Sequence, residues 1–131
     1  YLMLGQSALY LTAIILGAMI FFSFVVAPTT FKLLDEENSR KFIRGIFPFY
    51  YLLNLTLSFV ASVLFFLNQN LSIHFLLMVS VSVLFAISNF ILMPMINKFR
   101  DNNEDKKFKI SHFISVIINF IQLIFLVIIL L

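Results

Sequence analysis

The polar side chains best suited to chemistry stand on one stripe of an apolar segment near the C-terminus. His112, Ser115, Asn119 and Gln122 follow one another at i, i+3, i+7 and i+10. At about 100° per residue, these positions lie within about 80° of one another on a helix. Polar and ionisable groups inside a membrane helix are costly and often mark a site. The stripe is therefore a candidate polar site, with His112 as its titratable member.

Two carboxamides in other apolar segments extend this candidate site. Asn54 and Asn89 each lie on a small or polar helix face, and we expect both to reach the depth of Asn119 inside a bundle. One interpretation is structural, because Asn, Gln and Ser join membrane helices through hydrogen bonds worth about 0.6 kcal/mol each. The other is a lined site for a porphyrin, a metal ion or a proton path.

The sequence lacks the residue patterns that most catalytic mechanisms require. There is no Cys, and His74 and His112 are expected about a membrane thickness apart, so they cannot be two ligands of one haem within one chain. No zinc-protease, P-loop or serine-hydrolase motif occurs. Paired carboxylates for acid–base work are also absent from the apolar segments. We therefore predict no metal site, and the sequence favours a non-catalytic protein.

Composition identifies the elements that must position these residues. The chain has 131 residues, of which 62% are hydrophobic and 11% are charged, against about 45–50% and 25% in soluble domains. All charges lie within residues 32–44 and 98–109, and a membrane span needs about 20 apolar residues without a central charge. We predict an all-α integral membrane four-helix bundle that forms a single domain over 1–131. Its spans are expected near residues 4–27, 47–67, 73–93 and 110–130.

The basic residues predict orientation rather than nucleic-acid binding. All nine Lys and Arg residues fall in the loops 28–46 and 94–109, and the positive-inside rule assigns such loops to the cytoplasm. Both termini and the turn Asn68–Ser72 should then lie outside. The frequent Phe, Ile, Asn and Lys residues are typical of an AT-rich genome, which accounts for part of the Phe excess. We expect the host to be a bacterium, with the protein in its cytoplasmic (inner) membrane.

Capping and proline signals predict where the helices begin and end. Asp35 is expected to cap a short loop helix that ends at Gly45, since Asp favours N-caps and Gly favours the position after a helix. Pro48 is expected to open the second span, Pro28 to follow the first, and Pro94 to close or kink the third.

Several motifs together resemble one family. They are Phe24-Val-Val-Ala-Pro-Thr-Thr-Phe31, Ile46-Phe-Pro-Phe-Tyr50, the pair Asn89 and Pro94, and Phe108-Lys-Ile-Ser-His-Phe-Ile-Ser-Val-Ile-Ile-Asn119. With these motifs the chain resembles the domain-of-unknown-function 4149 family, the transmembrane-protein-205-like group of small four-span membrane proteins. The resemblance covers nearly the whole chain, and it implies a multi-pass protein without an assigned activity.

The layout is more distantly similar to that of copper-resistance CopD domains and HemJ-type protoporphyrinogen oxidases. Those proteins are helical bundles that use membrane histidines around copper or haem. This sequence lacks a histidine in the first span and a basic residue within a span, which are features of the HemJ type.

Three functions remain open from the sequence. The first is a non-catalytic accessory or assembly subunit that acts through helix packing and docking, embedded in the bilayer as a homo-oligomer or in a larger complex. The second is a haem- or porphyrin-handling redox protein that uses His112 as a ligand. The third is a small-solute or metal transporter, which the lack of charges inside the spans disfavours.

Overall fold

The computed structural model describes residues 2–68 and 72–131, and the predicted turn Asn68–Ser72 lies in part outside them. The described residues are helical apart from short connections. Four helices are long and apolar enough to cross a membrane, which confirms the all-α, four-span prediction. We number these spans 1 to 4; they are Met3–Leu33, Glu36–Leu67, Ile73–Asp101 and Asp105–Leu130.

Spans 1 and 3 are each interrupted by a π-helical turn. In span 1, α1 (Leu2–Phe21) continues through the π turn Phe22–Val26 into α2 (Ala27–Leu33). In span 3, α4 (Ser72–Ile87) continues through the π turn Ser88–Leu92 into α5 (Met93–Asp101). Spans 2 and 4 are the single helices α3 (Glu36–Leu67) and α6 (Asp105–Leu130).

Each π turn ends two residues before a proline, Pro28 in span 1 and Pro94 in span 3. A proline inside an α-helix lacks an N–H donor, and its ring crowds the carbonyl four residues earlier. The wider π turn relieves this crowding, and the helix continues beyond the proline. Span 1 therefore extends past Pro28, which was expected to follow it, and span 3 is interrupted by a π turn before Pro94 and does not close there.

The predicted loops 28–46 and 94–109 are largely helical, and the chain leaves the helix only at residues 34–35 and 102–104. Asp35 caps α3 as predicted, because its Oδ1 accepts a hydrogen bond from the Asn38 backbone N–H at 2.8 Å. The predicted helix end at Gly45 is wrong, as is the start at Pro48, since α3 runs through both residues. Pro48 costs one internal hydrogen bond, and the buried side chains that follow it offset that cost.

The second connection is a tight turn between α5 and α6. Asn103 adopts a left-handed backbone conformation with φ 57°, which Asn tolerates better than most residues. The Glu104 N–H donates to the Phe99 carbonyl at 2.9 Å and so closes the turn. This turn places the charged start of span 4 beside the charged end of span 3.

The four spans pack in a ring in chain order. Span 2 packs on spans 1 and 3, and span 4 packs on the same two spans from the other side. The interior between them is filled mainly by large apolar side chains. The large apolar residues that are at most 2% exposed include Ile15, Met19, Phe65, Met78, Phe85, Leu126 and Ile129.

The bundle separates into two hairpins at its charged end, where the connections 34–35 and 102–104 lie. Beyond the π turns, α2 packs on α3 within hairpin 1 (spans 1 and 2), and α5 packs on α6 within hairpin 2 (spans 3 and 4). Among the described residues, neither α2 with α6 nor α3 with α5 packs extensively. The hairpins therefore diverge from about the level of the π turns towards this end.

We predict that Asp35→Ala lowers the free energy of unfolding by about 1 kcal/mol, because the Asn38 backbone N–H in the first turn of α3 loses its side-chain cap. The midpoint of thermal or detergent-induced unfolding, followed by circular dichroism, measures this change. Asp35→Asn keeps a side-chain acceptor and serves as the matched control. Equal destabilisation by the two substitutions would show that the cap hydrogen bond is not the cause.

Candidate functional site

A cleft of about 780 Å³ lies between the two hairpins at the charged end. All four spans contribute to its wall, which is mainly aromatic and aliphatic. Its aromatic lining residues are Phe22, Phe24, Phe31, Phe47, Tyr50, Tyr51, Phe108 and Phe120. Ligand pockets in proteins commonly enclose roughly 300–1,000 Å³ behind walls of this kind, so the cleft has the size and lining of a binding site.

The cleft is long and opens on the side of the bundle. Along span 4 it extends from Phe108 to Leu123, which at 1.5 Å per residue is about 22 Å. Phe24, Phe31 and Phe120 line it and are 60–63% exposed. In a membrane these side chains face lipid, so the gap between α2 and α6 is an opening towards the hydrocarbon.

A network of three polar side chains joins the hairpins at the inner part of the cleft. The Tyr50 hydroxyl donates to Asn119 Oδ1 at 3.3 Å, and Asn119 Nδ2 donates to Ser23 Oγ at 3.1 Å. Ser23 belongs to the π turn of span 1, so the network links spans 1, 2 and 4. The Tyr50 ring is also stacked on Phe22, with centroids 4.1 Å apart, which fixes the direction of its hydroxyl.

An ion pair joins the hairpins at the charged end of the cleft. Arg44 donates from Nη2 to Asp101 Oδ1 at 2.9 Å and from Nη1 to Oδ2 at 3.3 Å. Both side chains are about half exposed, at 44% and 59%, so this pair contributes about 1 kcal/mol or less to stability. A second arginine of the lining, Arg40, is paired with Glu36 one helical turn away.

A third lining arginine, Arg100, is held by an aromatic ring instead of a carboxylate. Its guanidinium carbon lies 3.8 Å from the centroid of the Phe108 ring. His112 stacks on Phe108 within α6, with ring centroids 5.8 Å apart and planes inclined by 27°. No acidic side chain of the described chain lies within ion-pair distance of Arg100. Arg100, Phe108 and His112 thus form one contiguous group on the cleft wall.

The predicted stripe on span 4 is only in part on the cleft. His112, Ser115 and Asn119 line it. Gln122 is 1% exposed, and its Nε2 donates to the Val81 carbonyl of span 3 at 3.0 Å. That contact is the interhelical hydrogen bond which the structural interpretation of these residues anticipates.

The other two predicted carboxamides lie away from the cleft lining. Asn54 is fully buried, and neither of its side-chain polar atoms has a hydrogen-bond partner among residues 2–68 and 72–131. Asn89 lies in the π turn of span 3 and is half-buried. We expected the three carboxamides of Asn54, Asn89 and Asn119 to lie at one depth inside the bundle. Within the described chain, no hydrogen bond joins any two of them.

Sequence reasoning missed several residues that build the cleft. No single helical period relates these residues, because each comes from a different element. They are Ser23, Tyr50, Arg100 and Phe108. One signal was present for Ser23, which directly precedes the motif beginning at Phe24. Arg100 was counted as a loop charge, although it lies within α5 and reaches the cleft wall.

The described residues contain no group of three or more His, Cys, Asp or Glu side chains that could hold a metal ion. Two side chains of the type that ligate haem iron, Met93 and His112, line the cleft. They come from spans 3 and 4, on the hairpin that also carries Arg100.

This chain is similar in sequence to one protein family. The family described as "Domain of unknown function (DUF4149)" matches residues 10–105. The chain belongs to this family. The match covers span 1 from residue 10 onward together with spans 2 and 3, and it ends where span 4 begins, so the motif Phe108–Asn119 lies beyond it.

One curated relative is an uncharacterised protein from Aquifex aeolicus (strain VF5). It is 31% identical over 113 residues, which cover 86% of this chain and 83% of the relative. No solved structure matches this chain. The comparisons therefore place the chain among membrane proteins whose activity is unassigned.

We predict that the Tyr50–Asn119 hydrogen bond is measurable by a double-mutant cycle. Tyr50→Phe, Asn119→Leu and the double substitution should give a coupling of about 0.6 kcal/mol, the usual value for interhelical hydrogen bonds in membranes. Unfolding in mixed micelles measures each variant. Tyr51→Phe is the matched control, because its hydroxyl has no hydrogen bond to the described residues. Strictly additive effects of the first two substitutions would contradict the network.

Proposed function

We propose that this protein is a non-catalytic accessory membrane protein that binds an anionic amphiphile in the cleft between its hairpins. The observation that carries the proposal is the pairing of an apolar, laterally open wall with arginines at one end of the same cleft. An amphiphile satisfies both parts, because its hydrocarbon leaves water or lipid for the wall while its anionic group meets the guanidinium groups.

The polar groups of the cleft favour binding over catalysis. A serine nucleophile needs a base within hydrogen-bond reach. Ser115 Oγ instead donates to the His112 main-chain carbonyl at 2.6 Å, so it is not directed at the imidazole. Asn119 and Tyr50 are bonded to each other and to Ser23. These groups hold the helices and shape the cleft.

The location and assembly of the protein are further parts of the proposal. We infer that the charged end faces the cytoplasm and both termini face outward, in a bacterial inner membrane. The basic excess at one end supports this orientation, and a bacterial relative supports the host. In the apolar windows of the spans only 17–39% of residues are buried. That thin bundle leaves ample apolar surface for self-association or for a larger complex.

We predict that the charged end is labelled only from the cytoplasmic side. The chain contains no Cys, so single substitutions give unambiguous sites. Asn38→Cys and Asn103→Cys should react with a membrane-impermeant maleimide in inverted vesicles but not in intact spheroplasts. Met3→Cys, at an exposed position near the opposite end, should show the reverse. Labelling of positions 38 and 103 in spheroplasts would exclude this orientation.

A haem or porphyrin is a second candidate ligand for the same cleft. His112 and Met93 line it and are ligand types known for haem iron. The arginines at its charged end suit the carboxylates of a porphyrin. Haem would supply electron-transfer or oxygen chemistry, whereas the protein would supply the apolar wall and the ligands.

We predict that the purified protein retains an anionic amphiphile, detected as a mass increment by native mass spectrometry, and shows no Soret absorption band. Ala27→Trp places a large side chain on the cleft wall and should abolish the increment. Ala13→Trp, on the exposed face outside the cleft, should leave it unchanged.

The same spectra test the alternatives. A Soret band that disappears in His112→Ala would establish the haem candidate instead. Equal retention of the amphiphile by the two tryptophan variants would place the bound molecule outside the cleft. The mass of the intact particle also reports whether the protein is a homo-oligomer.

A further inference from the structure

We propose that Arg100 binds the headgroup of the cleft's ligand, and that this ligand is a phosphate-bearing lipid that enters sideways from the leaflet beside the charged end. The inference rests on the proposed function and deepens it. It adds the chemical class of the ligand, its route of entry and the residue that selects it.

Of the three lining arginines, Arg100 is the one without a carboxylate partner among the described residues. The guanidinium of Arg44 is held by Asp101 through two hydrogen bonds, and that of Arg40 is paired with Glu36. Arg100 has no such carboxylate within ion-pair distance in the described part of the chain. A free guanidinium presents a planar fork of donors that matches two phosphate oxygens, which a lysine cannot reproduce.

Phe108 fixes the position of this guanidinium. The Arg100 Cζ lies 3.8 Å from the ring centroid, and stacking on an aromatic face leaves the edge donors free for an anion. The two residues lie on α5 and α6, which the turn at residues 102–104 holds together. Phe108 is therefore a positioning residue, and Arg100 arrives at the ligand with little side-chain freedom left to lose.

The dimensions of the cleft favour a lipid over a small soluble anion. Its length of about 22 Å exceeds the roughly 15 Å of one leaflet's hydrocarbon. A headgroup at Arg100 therefore leaves room for a hydrocarbon chain along the wall towards Leu123. The exposed rings of Phe24, Phe31 and Phe120 flank the lateral opening through which the chain would pass.

Charge supports the same occupant. The chain carries a net charge of +3, and every charged residue lies within 32–44 or 98–109, at the charged end. Clusters of basic residues at a membrane surface attract anionic lipids. The phosphate of such lipids lies at the edge of the hydrocarbon, and Arg100 stands one residue before the charged end of span 3 at Asp101.

The test is a titration of the full-length protein in neutral detergent with phosphatidylglycerol, followed by native mass spectrometry. Arg100→Gln should weaken binding about tenfold or more, as expected for loss of a charge-assisted contact. Arg100→Lys should recover part of the affinity. Lys98→Gln removes the same charge from the same helix but from an exposed position off the cleft lining, and it should change affinity by less than about twofold.

Phe108 provides a second, independent variant. Phe108→Leu should weaken phosphatidylglycerol binding without changing any charge, and Phe108→Tyr should restore it because the aromatic face is kept. A purely structural role of Phe108 would lower thermal stability and the binding of every amphiphile alike. The expected result is a loss confined to phosphate-bearing lipids, with oleate binding unchanged.

Four results would overturn the inference. If Arg100→Gln binds phosphatidylglycerol as the parent does, while Ala27→Trp abolishes binding, the headgroup assignment fails and the proposed function stands. If inorganic phosphate alone displaces the lipid at matched concentration, or oleate binds equally well through Arg100, the ligand class is wrong. If no amphiphile binds in the cleft, the proposed function fails together with this inference.

Discussion

The Asn119 carboxamide sits at the level where the hairpins begin to diverge, and the cleft depends on it. It accepts from Tyr50 and donates to Ser23, so one side chain joins three helices where backbone packing between spans 1 and 4 ends. In hydrocarbon, water does not compete for such donors and acceptors. Because the bonds lie at the inner part of the cleft, the charged end can stay open while the neutral end remains closely packed.

Much of the architecture could be predicted from the sequence, because the membrane imposes simple constraints. Charges cannot lie at the centre of a span, so their confinement to residues 32–44 and 98–109 predicted four spans. Asp35 was identifiable as a cap because its preference is local. His112, Ser115 and Asn119 could be grouped because they share one helical face. Periodicity and local preference were sufficient for these features.

The remaining features depend on tertiary context. Gly45 and Pro48 indicated a break, but the packing of the residues that follow outweighed their low helix propensity. No local sequence rule predicts the π turns before Pro28 and Pro94 as reliably as residue preference predicts a helix cap. The places of Arg100 and Ser23 on the cleft wall depend on how the spans pack together. Sequence patterns do not show this packing, since the residues that surround them come from several spans. Gln122 bonds to Val81 and does not line the cleft. Which of these two environments it occupies depends on the rotation of α6 about its own axis.

The π turns also reveal an internal symmetry. Phe24-Val-Val-Ala-Pro28 and Phe90-Ile-Leu-Met-Pro94 stand 66 residues apart, each on the first helix of a hairpin. Spans 1 and 3 run in the same direction, so the two corresponding segments have the same orientation, unlike those of the inverted repeats of many transporters. Ser23 and Asn89 are equivalent under this relation, yet only Ser23 lies on the cleft. The two π turns thus differ in their surroundings, because Ser23 bonds Asn119 on the cleft wall whereas Asn89 lies off the cleft lining.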